Sequence, residues 1–310
     1  MRKAFVDALH ELAADDERVW LLTGDLGYSV LEPFAARFPA RFVNVGVAEQ
    51  NLVGVAAGLA LDGKIVFVYS IANFPTLRCL EQLRNDVCYH RATVKIAAVG
   101  AGLTYGPHGY THHAVEDLAI LRSLPHLAVA APGDPVEARL ATHAAARWPG
   151  PAYLRLGRAG EPVAHTAEPR FALGEVVRVR EGTDVLLVTA GALLVPALDA
   201  ANRLEAETGR RAAVWSCPWL KPFDRAAFEE AAARFRVILT AEEAVTDGGL
   251  GGAVAEVLAE LPSPRARLRR LGLPTAPLER SYSQAGARAL LGLDAAGLHG
   301  ALRTACEERP

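Results

Sequence analysis

Glu49 is the first residue in this chain whose placement suits proton-transfer chemistry. It lies in Val43-Asn44-Val45-Gly46-Val47-Ala48-Glu49-Gln50-Asn51, past an expected strand end and in the first turn of the next helix. A carboxylate there complements the helix dipole, worth about 0.3–1 kcal/mol. The same helix carries Gly54, Ala57, Gly58 and Ala60, small side chains that let another helix pack close. A carboxylate desolvated at its head would have a raised pKa, the condition for proton relay near neutral pH. A second cluster is His108, His112 and His113 in Thr-Tyr-Gly-Pro-His-Gly-Tyr-Thr-His-His-Ala-Val-Glu-Asp. The i, i+4 pair His108/His112 invites a zinc reading, but Gly-Pro-Gly reads as loop and the acidic partner of an HExxH helix is missing. No metal site is expected in this chain. Thr111 reads as a cap for a helix beginning near Val115. Phe74, after a strand, reads as a core aromatic, and Asp25 as ordinary turn chemistry.

The elements that would position these groups alternate along the chain. Strands are expected at Val19–Thr23, Arg41–Val45, Ile65–Tyr69, Val94–Val99, Leu127–Ala131 and Ala152–Leu156. Helices are expected over 2–15, Ala48–Leu61, about 75–89, Val115–Leu124 and Pro135–Ala146. This is the pattern of a parallel sheet covered on both faces. A Gly/Pro/Ala-rich stretch near 157–172 reads as a linker. A second series follows, with strands Val185–Thr189, Ala212–Ser216, Val237–Thr240 and Ala266–Leu271 between helices. The fold class is α/β, with two doubly wound domains: 1–160, a linker over 161–172, and a smaller domain over 173–310. Ligand sites in such sheets gather at the carboxyl ends of the strands. That rule lines up Gly24–Ser29, Gly46–Glu49, Tyr69–Phe74, Gly100–His113 and Gly157–Arg158.

With 51% hydrophobic and 22% charged residues, the 310-residue chain can bury substantial cores. A net charge of −2 without like-charge runs favours neither a nucleic-acid nor a membrane partner. No apolar run is long enough to span a bilayer. The N-terminal segment reads as an amphipathic helix rather than a signal peptide. Four cysteines without CxxC or zinc spacing read as free thiols, so a cytoplasmic location is expected.

The segment Arg-Phe-Val-Asn-Val-Gly-Val-Ala-Glu-Gln-Asn-Leu-Val-Gly-Val-Ala-Ala-Gly-Leu-Ala-Leu around Glu49 resembles the transketolase family. So do Glu81-Gln82-Leu83-Arg84-Asn85, Thr111-His112-His113-Ala114-Val115-Glu116-Asp117 and Gly248-Gly249-Leu250-Gly251-Gly252. Each motif alone is weak; the four in order over most of the chain are strong. The resemblance covers the pyrimidine-binding and C-terminal domains of that thiamine-diphosphate-dependent family. It implies that Glu49 hydrogen-bonds N1′ of the cofactor's aminopyrimidine and that Phe74 stacks on it. Ile71 stands where many members have a second Phe. Asp25 would lie near the cofactor and the dimer contact. His112 would contact the donor carbonyl and hydroxyl, with His113 at a position often occupied by Gln. Arg2, Ser29 and Arg158 match positions that bind the sugar phosphate; a guanidinium suits phosphate through bidentate bonds. His108 replaces an Asp that reads donor stereochemistry, and Gly100 replaces a further histidine.

The Gly-Asp-Gly…Asn segment that holds Mg²⁺ and the diphosphate in these enzymes has no counterpart here. The resemblance therefore implies a split enzyme, with Mg²⁺ and much of the thiamine diphosphate held by a separate N-terminal subunit. Homodimerisation would give an α2β2 heterotetramer acting on a small sugar. Two other readings are the beta chain of the first component of a 2-oxo-acid dehydrogenase complex and a non-catalytic scaffold. The first is disfavoured by Gly24-Asp25-Leu26-Gly27 and Thr111-His112-His113; the second by the joint presence of Glu49, Phe74 and His112. In the second domain, Glu242 and Glu243 read as helix-end or surface residues.

Overall fold

The computed structural model describes residues 1–262 and 266–307. Seven strands form the first sheet: β1 Val19–Thr23, β2 Phe42–Asn44, β3 Ile65–Ile71, β4 Val94–Val99, β5 Ala128–Ala130, β6 Ala152–Leu156 and, from later in the chain, β10 Trp219–Lys221. Their order is β10-β5-β6-β4-β3-β1-β2, parallel throughout except for β10. β4 and β6 are buried along their whole length, as expected for central parallel strands covered on both faces. The second sheet has the order β12-β11-β8-β9-β7. It comprises β7 Val177–Arg180, β8 Val185–Ala190, β9 Ala212–Ser216, β11 Val237–Val245 and β12 Arg267–Leu273. Among the described residues of this sheet, only β7 runs antiparallel to its neighbour.

One hydrophobic core crosses between the sheets: Leu22, Val68 and Ile96 of the first belong to the same cluster as Leu186, Val188 and Trp215 of the second. β10 adds a backbone tie, pairing Trp219 with Ala130 and Lys221 with Val129. The irregular stretch between β6 and β7 is also pinned. Asp134 accepts the Ala164 and His165 amides at 2.8 and 3.2 Å, and the His165 ring meets Glu137 at 2.9 Å. Glu137 also accepts the Ser216 hydroxyl of β9 at 2.8 Å.

Several elements depart from the expectations above. β7 and β10 were not anticipated. The helix expected over 75–89 is three pieces: a 3₁₀ turn Leu77–Cys79, an α-turn Leu80–Gln82 and a π-helix Leu83–Tyr89. The Cys79 amide bonds the Thr76 carbonyl at 3.1 Å, an i to i−3 bond of the 3₁₀ turn, and Cys79 Sγ bonds the Phe74 carbonyl at 3.2 Å. The helix expected from Val115 begins at Asp117, and Thr111 bonds a histidine ring instead of capping it. Among the described residues, no helix is long and apolar enough to cross a membrane.

Lys95 of β4 is fully buried and donates to the carbonyls of Trp148, at 2.7 Å, and Gly150. Burial pushes its ammonium down from 10.5 to about 7. Between those values the unfolded chain holds a proton that the folded chain has released, so stability rises with pH across the window. Relative to Lys95→Met, the native chain should gain up to about 1.4 kcal/mol per pH unit between pH 7 and 9.5, read from urea midpoints. A pH-independent difference between the two proteins would refute this.

Candidate active site

Four loops meet at the carboxyl edge of the first sheet. They follow β1, β2, β3 and β4, the positions where parallel sheets place ligands. Glu49 is the first residue of the helix Glu49–Leu61, and its side chain is buried. The helix buries Leu52, Val53, Ala56, Ala57 and Ala60, while Gly54 and Gly58 face outward with nothing within 4 Å of a Cβ. Glu49 Oε2 accepts from Arg78 Nη1 at 2.6 Å. The Arg78 guanidinium carbon also stands 4.5 Å from the centre of the Phe74 ring. Arg78 is absent from the expectations above because a regular helix over 75–89 gave no reason to direct it toward Glu49. The 3₁₀ turn and a bond from Gln50 Nε2 to the Arg78 carbonyl, at 3.2 Å, set its direction.

Phe74 lies 5.5 Å, edge-on, from the His112 ring, and His112 lies 5.0 Å from His108. Glu49, Arg78, Phe74, His112 and His108 thus form one continuous chain of contacts. His112 Nδ1 is 2.9 Å from Thr111 Oγ1. Burial, then His108 and His113, lowers its pKa, so the ring is held neutral near pH 7. His113, expected at the substrate, is turned the other way. It is buried, and its Nε2 meets the Gly106 carbonyl at 3.2 Å inside its own loop. Asn73 ties the Phe74 segment to this loop by donating to the carbonyls of His113 and of Thr111, the latter at 3.4 Å. Ile71, half-buried, ends β3 and accepts the Phe74 amide at 2.8 Å.

At Gly100, φ is +87°, and a Cβ there would fall 2.1 Å from the Tyr105 ring. Tyr105 therefore fills the space that a side chain at position 100 would claim. Its ring lies edge-on to His108 and His112 at 5.8 and 6.3 Å. The Tyr69 phenol is pushed up to about 12, chiefly by burial, against the lowering effect of the nearby Arg2 charge. The Arg2 amide is 3.5 Å from the carbonyl of the exposed Arg158. Ser29 is exposed in the turn after β1, with φ +61° and its amide bonded to Glu32 at 2.7 Å. That turn reaches Tyr69 through Gly27, where a Cβ would lie 3.1 Å from Tyr69 Cε1.

Asp25 sits apart from the histidines. Its carboxylate accepts from Tyr28 and Asn44 at 2.9 and 3.2 Å. Asn44 in turn accepts the Gly46 amide at 3.0 Å, so Asp25 braces the turn that delivers Glu49. In the second domain, the surface reading of Glu242 and Glu243 is corrected: both are buried, because β11 continues to Val245. Glu242 accepts the Leu250 and Gly251 amides, at 2.7 and 2.8 Å, at the start of the helix Leu250–Glu260. A Cβ at Gly249 would lie 2.1 Å from that carboxylate, which accounts for a glycine there.

Two family models match most of the chain: the transketolase pyrimidine-binding domain over residues 1–160 and the transketolase C-terminal domain over 174–298. An apulose-4-phosphate transketolase subunit from Phocaeicola vulgatus is 40% identical over 88% of this chain and 87% of its own length. The 6-deoxy-6-sulfo-D-fructose transketolase subunit SqwH of a Clostridium species is 38% identical over 88% and 84%. A solved structure described as a split gene transketolase, inactive beta4 tetramer, superposes with a TM-score of 0.87 at 40% identity, covering 98% of this chain and 97% of its own. Sequence and fold agree over nearly the full length, and the chain belongs to the transketolase family.

Proposed function

We propose that this chain is the C-terminal subunit of a split, thiamine-diphosphate-dependent transketolase that moves a two-carbon ketol unit from a ketose to an aldose. The observation that carries this reading is the seat of Arg78. A guanidinium is a flat N–H donor, and here it lies on Phe74 while donating to buried Glu49. An aminopyrimidine ring needs the same two contacts, an aromatic face and a carboxylate in its plane, so these residues fit the cofactor. Arg78 must swing aside to admit it, and its side chain is half exposed and free to do so. Bound thiamine diphosphate supplies the nucleophilic carbon and electron sink for the carbon–carbon bond exchange.

Glu49 holds its hydrogen bond to the pyrimidine at the head of a helix. Phe74 supplies one stacking face, and Ile71 an aliphatic one. With the proton of neutral His112 on Nδ1, against Thr111, Nε2 is left to accept a proton. It takes that proton from the donor hydroxyl beside the scissile carbon–carbon bond, which frees the shortened aldose. The same nitrogen would return that proton to the acceptor's aldehyde oxygen as the new carbon–carbon bond forms, before the product ketose is released. Arg2, Ser29 and Arg158 line the end suited to an anionic group. One relative's name carries a phosphate and the other's a sulfo group, which supports a ketose with an anionic terminus. Tyr105 in the space above Gly100, with His108 beside it, supports a donor other than the common sugar phosphates.

A separate N-terminal subunit would hold Mg²⁺ and the diphosphate. The outward face of Glu49–Leu61, with Gly54, Gly58 and exposed Leu61, supports close packing against another chain, as does exposed Val47 just before the helix; two copies of each subunit would make the heterotetramer. Buried free thiols at Cys79, Cys88 and Cys217 support a reducing compartment, the cytoplasm.

The chain alone should show no turnover; with its N-terminal partner, thiamine diphosphate and Mg²⁺ it should form ketol-transfer product in a coupled assay. Robust activity from the isolated chain would end the split-subunit reading. Glu49→Gln should leave the assembled mass intact and lower kcat at least about 100-fold, the scale of a lost proton-relay group; normal turnover would remove Glu49 from the mechanism. His108→Asp should redistribute kcat/KM across a panel of phosphorylated and sulfonated ketoses, and an unchanged profile would place His108 outside the substrate site.

A further inference from the structure

The loop Gly100–Ala114 carries Tyr105, His108 and His112, yet much of what holds it belongs to the second domain. Its base is closed by reciprocal bonds between Gly102 and Ala114, at 3.0 and 3.1 Å. Glu243 of β11 lies directly against this base, and a Cβ at Gly102 would fall 2.5 Å from Glu243 Cβ. The Glu243 carboxylate accepts the Leu103 amide at 3.3 Å and the Gln284 side-chain amide at 3.0 Å, and it pairs with Arg288. Gln284 also reaches Thr104 Oγ1 at 3.3 Å. A Cβ at Gly106 would fall 2.3 Å from the Tyr282 carbonyl. Behind the loop, Arg155 donates to the carbonyls of Ala114 and Glu243, at 2.6 and 2.8 Å.

We propose that Glu243 is a positioning residue for the histidine loop: from the second domain it sets the conformation of Leu103–Gly106 and so the places of Tyr105, His108 and His112. Three features argue for this beyond ordinary packing. The carboxylate is buried, which is costly unless it is paired and hydrogen-bonded. Its acceptor oxygens are spent on one loop amide and on Gln284 and Arg288 of the helix Gln284–Leu291, so the loop and that helix share one anchor. The loop closes too near Glu243 for a side chain at Gly102, and too near the Tyr282 carbonyl for one at Gly106. The second domain is then part of the substrate apparatus, and displacement of the helix Gln284–Leu291 would reach His112 without passing through Glu49 or the cofactor seat. This catalytic consequence rests on the transketolase reading; the conformational claim does not.

The test has two arms. In the isolated chain, hydrogen exchange of Glu243→Ala should speed amide exchange across 103–113 by about tenfold, the size of one lost buried hydrogen bond, with the helix Glu49–Leu61 unchanged. In the assembled enzyme, the same variant should raise the donor KM or lower donor kcat by about tenfold while thiamine diphosphate affinity stays within about twofold. The double variant Glu243→Gln/Arg288→Met removes both charges and keeps an acceptor for Leu103; it should restore much of both readouts. Should Glu243→Ala fail to fold, Glu243→Asp, one methylene shorter and so drawn back from the Leu103 amide, carries the same test with the same outcomes. Native exchange across 103–113, or equal losses in donor and cofactor binding, would overturn the proposal. Altered exchange with no ketol transfer even in the native assembly would instead fault the transketolase reading alone.

Discussion

Arg155 is the fulcrum of this molecule. Its guanidinium is buried, bonded to Asp117 at 2.8 Å and to the carbonyls of Ala114 and Glu243. Asp117 begins a helix and also accepts the Tyr153 hydroxyl. One cation at the middle of the first sheet therefore joins the foot of the histidine loop, the start of a helix and the last stretch of β11. Such a pair is stable only when nearly every polar valence is answered, since the desolvation of two ions otherwise exceeds their attraction. Here Nε and Nη2 of the guanidinium meet a carboxylate and two carbonyls, and Asp117 Oδ2 takes both the cation and the phenol, leaving Oδ1 buried without a hydrogen-bond partner. The geometry is demanding, and that demand fixes how the domains meet.

A second ion pair, Arg78 with Glu49, has the opposite character. One partner is buried and the other half exposed, so the pair can be exchanged for another donor without stranding a charge in the interior. The two pairs divide the labour: the first holds the scaffold, and the second keeps a buried carboxylate partnered by a side chain that is half exposed.

The strands of both parallel sheets were legible in the sequence because buried strands read as short apolar runs. Val19–Thr23, Val94–Val99, Ala152–Leu156 and Ala212–Ser216 have the bounds expected of them. β10 was not, since three residues ending in a lysine acquire strand character only from a partner far away in sequence. The segment after Phe74 read as plain helix because its apolar spacing is helical, and the winding that aims Arg78 depends on tertiary contacts. Glu243 was misread for the same reason: an acidic residue late in a strand looks exposed until the chain folds Leu103, Gln284 and Arg288 around it. Glu49, Phe74 and the histidines were visible as residues, but the contacts joining them were not. Tyr105 had one overlooked signal, a bulky aromatic five residues beyond a glycine that must leave room for it.

β10 carries a consequence for how the chain is made. Until Trp219–Lys221 emerge from the ribosome, β5 is the outermost strand of the first sheet and its outer edge has no partner. A bare edge strand is a template for pairing with other chains. The nascent first domain is therefore finished by a segment translated well after its own last strand, and a protein cut between the two would leave that edge open to aggregation.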